Sequence, residues 1–75
     1  MNKIDSLVRH YSYIVKYSVP DEAYLARCLE LGITAHGDSQ EEAISQIKSA
    51  TKVHLLMLEE DGDEIPEPSS LEAIN

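Results

Sequence analysis

The side chains that could do chemistry here are three histidines, one cysteine and fourteen carboxylates. A hydrolytic metal site needs several such groups converging at fixed spacing, commonly from strand ends. The three segments that read as strands, residues 11–18, 23–28 and 33–36, contain no Asp or Glu. His36 and Asp38 stand two apart with no further ligand at metal spacing. His54 falls on an apolar helical stripe and reads as a half-buried structural residue. Asp61-x-Asp63 begins like a calcium loop, but the sixth position is Pro66, where such a loop needs glycine. Cys28 shares a strand face with Ala26 and has no base beside it in sequence, so it reads as a small buried hydrophobe, not a nucleophile. The expectation is a protein that is not an enzyme, with no cofactor and no metal.

The elements that position these residues follow from periodicity. Tyr11, Tyr13, Val15 and Tyr17 alternate with Ser12, Ile14, Lys16 and Ser18, the period-two pattern of a strand. Val19-Pro20-Asp21-Glu22 is turn chemistry, and Ala23–Cys28 is a second strand with Tyr24, Ala26 and Cys28 on one face. Leu31-Gly32 bends the chain into a short third strand, Ile33–His36. The short links predict an antiparallel meander. Ser39-Gln40-Glu41-Glu42 is a capping box, in which Glu42 is expected to reach back to the Ser39 amide. Ala43, Ile44, Ile47, Ala50, Thr51, His54, Leu55 and Leu58 then form a stripe at helical spacing, predicting a helix from about 39 to 59 that Gly62 ends. The prolines of Ile65-Pro66-Glu67-Pro68 keep the tail extended, and Ser69 or Ser70 could cap one last short turn. The fold class is α+β: a three-stranded antiparallel sheet packed by one long helix, β-β-β-α, with an irregular proline-containing C-terminal tail.

Length and charge narrow the function. At 75 residues there is room for a single domain, 1–75, which buries only about 60% of the surface its unfolded chain exposes. No apolar run is long enough to cross a bilayer, no signal peptide opens the chain, and one cysteine permits no intrachain disulfide; a cytoplasmic location is expected. Residues 1–37 hold four bases and four acids and net zero, whereas residues 38–75 hold two bases and ten acids and net −8. That surface argues against direct nucleic-acid binding by this chain; it is either a solvated face or a docking site for a basic protein.

Three stretches carry a family resemblance. Tyr24-Leu25-Ala26-Arg27-Cys28-Leu29-Glu30-Leu31-Gly32 looks like the second-strand signature of HicB-type antitoxins. Gly37-Asp38-Ser39-Gln40-Glu41-Glu42-Ala43 resembles that family's Gly-Asp-Thr-x-x-Glu-Ala helix start, and Asp61-Gly62-Asp63-Glu64-Ile65-Pro66-Glu67-Pro68-Ser69 is similar to its Gly-x-x-Ile-Pro-x-Pro stretch. The resemblance implies a partial RNase-H-like fold and a non-enzymatic antitoxin of a toxin–antitoxin system. Such a protein binds a small basic HicA-type ribonuclease and blocks its RNA-binding face. Toxin-binding candidates are Glu30 and the acidic run Glu59, Glu60, Asp61, Asp63 and Glu64. The family often has prolines around Glu30 that are missing here, usually has one more strand after the Pro-x-Pro stretch, and in many members carries a C-terminal DNA-binding module; no separate DNA-binding domain is expected within 1–75. The alternative is a stand-alone protein-interaction or ligand-binding module without a toxin.

Val53, Leu56 and Met57 lie off the main helical stripe, with Leu56 about 120° round the helix from Ile44. Leaving three such side chains in water forgoes roughly 1.5–3 kcal/mol each, in a domain with only about 5 kcal/mol of stability. A homodimer through Val53, Leu56 and Met57 is therefore expected; the competing arrangement folds Leu71 and Ile74 back over Leu56 and Met57.

Overall fold

A computed structural model describes residues 2–68. Its elements run α1 (Lys3–His10), β1 (Tyr13–Ser18), β2 (Ala23–Cys28), β3 (Ile33–Gly37) and α2 (Gln40–Asp61). The sheet has the expected meander, order β1-β2-β3, with both pairs antiparallel and in the registers Val15↔Ala26 and Ala26↔Ala35. The α+β class and the sheet-then-long-helix order are as read from the sequence. The tail from Asp63 to Pro68 has no regular structure. The short turn at Ser69 or Ser70 and the fold-back of Leu71 and Ile74 lie outside the described residues.

The sequence reading had no element before residue 11, and α1 corrects it. Asn2 caps this helix by accepting from the Asp5 amide at 2.8 Å, and Ile4 and Leu7 are its buried face. Ile4, Leu7, Val8 and Tyr11 stand at i, i+3, i+4 and i+7, the helical spacing, which goes unread when Tyr11 is assigned to the strand alternation instead. The helix also moves the start of the first strand from Tyr11 to Tyr13. The Tyr11 amide closes α1 by donating to the Leu7 carbonyl at 2.9 Å, and its side chain turns into the core. The phenol there donates to the Pro66 carbonyl at 2.6 Å and so ties the tail to the start of the chain.

The turns follow local chemistry. Ser18 Oγ donates to Asp21 at 2.8 Å in the β1–β2 turn. Ser39 caps α2 by accepting from the Glu42 amide at 3.0 Å. The return bond of the capping box differs from expectation: Glu42 accepts from the Asp38 amide at 3.0 Å, one residue further out than Ser39. At the far end Gly62 takes a left-handed φ of 73°, its amide donating to the Glu59 carbonyl and that of Asp63 to Leu58. This is a Schellman closure, the conformation glycine adopts without penalty.

Side chains of Ala26 and Cys28 from the sheet meet Ala43, Ile47 and Leu55 of α2, all fully buried. Ile4, Leu7 and Tyr11 extend this core along one flank of α2, where Asp5 pairs with Lys52 at 3.2 Å. Thr51 is the one buried polar residue among those described. Its hydroxyl has no hydrogen-bond partner of good geometry, although it lies close enough to the Tyr13 oxygen to favour that phenol's ionised form. The other face of the sheet, with Ile14, Lys16, Arg27, Thr34 and His36, is exposed.

Candidate protein-docking surface

One run of acids is gathered at the end of the molecule that holds the β2–β3 turn, while Asp21, Glu22, Asp38, Glu41 and Glu42 lie toward the opposite end. The meander puts the β2–β3 turn beside the start of β1, and α2 runs back from the end of β3 toward that same turn. Glu30 in the turn and the acidic run after Leu58 therefore share one pole of the molecule. Glu59, Glu60, Asp61, Asp63 and Glu64 are all exposed there. No basic residue occupies the last turn of α2. Acids at the negative end of a helix dipole are unfavourable by a few tenths of a kcal/mol each, so local stability does not explain the run.

Glu30 differs from the other five. Its carboxylate is half-buried and accepts from the Ser12 amide at 2.8 Å and from the Ser12 hydroxyl at 3.2 Å. It clamps the β2–β3 turn onto the residue that leads into β1. With burial as the main cause and the Glu30 charge a smaller one, the phenols of Tyr11 and Tyr13 ionise above the ordinary range, Tyr13 at about 12. Cys28 is fully buried, as its strand position predicts, with its thiol 4.0 Å from Glu30. His36 is exposed on the outer sheet face and His54 is half-buried on α2. Among the described residues no three His, Cys, Asp or Glu side chains come together in a way that could hold a metal ion.

Val53, Leu56 and Met57 are 57, 45 and 57% exposed. Two of them border a feature that the sequence reading did not isolate. Between β3 and α2 lies a groove of about 480 Å³, lined mainly by apolar side chains that include Ile33, Ala35, Ala50, Val53 and Met57. It continues through Ala35 and Gln46 into a more polar hollow of about 570 Å³ at Asp38 and Glu42. The signal for it in sequence was the pairing of Ile33 and Ala35 at strand spacing with Val53 and Met57 at helical spacing. Only the strand order shows that the two stripes adjoin at an edge. No family profile, curated protein or solved structure matches this chain.

Proposed function

We propose that this chain is a HicB-like antitoxin with a partial RNase-H-like fold, acting in the cytoplasm. It binds a small basic ribonuclease of the HicA type and covers that enzyme's RNA-binding face. The observation that carries the reading is the pole of five exposed acids beside an exposed apolar stripe, a pairing that offers a basic partner both steering charge and anchors. Strands that contain no carboxylate weigh against nuclease activity of the chain's own. The test is co-expression with the product of an adjacent short basic reading frame. A complex that suppresses RNA cleavage by that product is expected; two proteins that purify apart would overturn the proposal.

A second reading, favoured by the exposure of Val53, Leu56 and Met57, is a homodimer across this face of α2. Sedimentation equilibrium of the wild type and of a Leu56→Glu, Met57→Glu variant decides it. The dimer reading requires a wild type above 8.4 kDa and a folded monomeric variant.

A further inference from the structure

We propose that the free edge of β3 and the groove beside it receive an extended segment of a basic partner protein, added as a fourth strand. The inference rests on the reading of the chain as the antitoxin of a basic ribonuclease, and it names the element through which that partner is held.

β3 is the last strand of the sheet, and among the described residues nothing pairs with its outer side. Edge strands that avoid pairing usually carry Lys, Pro or inward charge. β1, the other edge, has Lys16 at its middle and Pro20 just beyond its end. β3 reads Ile33-Thr34-Ala35-His36-Gly37, with none of these devices. α1 covers one flank of α2, whereas the flank over β3 has no second helix. An added strand sends alternate side chains to one face. Here that face is the apolar groove, where Val53 and Met57 are each 57% exposed.

Charge selects the occupant. Glu42 and Glu60 are eighteen residues apart in α2, about five whole turns, so both lie on one line along the helix. Glu42 lines the polar hollow that continues the groove, and Glu60 follows Met57 by one turn at the other end. They are about 27 Å apart at 1.5 Å per residue, the reach of about eight extended residues. Asp38 adds to the charge at one end and Asp61 at the other. The fitting ligand is therefore a strand of about eight residues, alternately apolar in its centre and with Lys or Arg at both ends. A second copy fits less well. Two-fold pairing of β3 with itself sets the Glu42 end of one helix against the Glu60 end of the other, between chains of net charge −8. The described part of the chain's own tail is held on the α1 side by Tyr11.

The experiment titrates the full chain with the octapeptide Lys-Val-Thr-Val-Thr-Val-Lys-Lys and with the same peptide bearing Glu for each Lys. Affinity and amide hydrogen exchange are both read. The basic peptide is expected to bind at least about tenfold tighter than the acidic one and to slow exchange across Ile33–Gly37. Val53→Lys with Met57→Lys, both exposed and so compatible with folding, is expected to weaken it at least about tenfold. Equal binding of the two peptides, unchanged exchange in β3, or an indifferent double variant overturns the proposal. So does a wild-type dimer whose β3 amides become exchangeable in the double variant, because the edge then serves a second copy. Toxin capture separates the two readings. A toxin bound equally by wild type and double variant overturns the fourth-strand proposal and leaves the antitoxin reading standing. If no toxin binds but the basic peptide does, the reverse holds.

Discussion

Gly37→Ala is the sharpest test of how the sheet is joined to α2. Gly37 is buried at the end of β3 without a left-handed φ, so conformational freedom is not its purpose. A Cβ there would stand 2.6 Å from the Ala43 amide nitrogen and 2.9 Å from both the carbonyl carbon and the Cβ of Glu42. Ordinary contacts of this kind begin near about 3.5 Å, so a gap of roughly 0.9 Å must open against helix backbone. The first turn of α2 cannot move freely. Ala43 is fully buried, Ser39 caps the Glu42 amide, and Glu42 holds the Asp38 amide. Overpacking of this kind costs about 1–3 kcal/mol, against a gain of about 0.5–1 kcal/mol from replacing glycine within a strand. The balance is a net loss centred near about 1 kcal/mol and at most about 2.5 kcal/mol, so Tm is expected to fall by about 4–8 °C at 4–8 °C per kcal/mol. Thermal and urea melts followed by circular dichroism measure it. Gly62→Ala is the comparison, since it meets nothing within 4 Å and bears only the strain of a φ of 73°. If Gly37→Ala melts within 2 °C of wild type (a shift below about 0.5 kcal/mol), the close approach is not the reason for glycine at this position.

Tyr11→Phe removes the donor to the Pro66 carbonyl; a loss of about 1 kcal/mol and faster hydrogen exchange at Ile65 are expected, and unchanged exchange there would show that Tyr11 does not hold the tail. Thr51→Val deletes an unpartnered buried hydroxyl at constant shape and is expected to raise Tm, with Tyr13 ionising at still higher pH; a lowered Tm would mean that the hydroxyl has a partner in solution. Burial raises the Tyr13 phenol from 10.0 to about 12, so the neutral form belongs to the folded state. The stability this gives is complete below pH 10 and is lost as pH rises toward 12, and urea melts across that window should show the fall shrink in Tyr13→Phe.

Where periodicity is strong and local, sequence and structure agree closely. Ala23–Cys28 begins and ends where the alternation of Tyr24, Ala26 and Cys28 places it, and α2 runs two residues past the expected 59, up to the Gly62 that the sequence marks as its stop. α1 was legible in the spacing of Ile4, Leu7, Val8 and Tyr11 behind the Asn2 cap, and was missed because Tyr11 also extends the β1 alternation in sequence while closing the helix in space. Of the site, Val53, Leu56 and Met57 could be recognised as surplus apolar residues on one helix. Their meeting with Ile33 and Ala35 depends on which strand ends the sheet, and Glu30's grip on Ser12 depends on a contact between residues eighteen apart. Neither is written in any local period.

The bond from Tyr11 to the Pro66 carbonyl joins residues 55 apart, in a fold whose other neighbours mostly follow one another along the chain. Short-range pairings such as β1 with β2, β2 with β3 and β3 with α2 close small loops and form early, because little chain entropy is lost in closing them. Fastening the tail to the end of α1 needs nearly the whole chain in place first. The contact of the tail with Tyr11 is therefore expected to form late and to open early. A partner that grips the acidic pole beside Pro66 would act on this late-forming closure, binding most tightly to a chain whose folding it also completes.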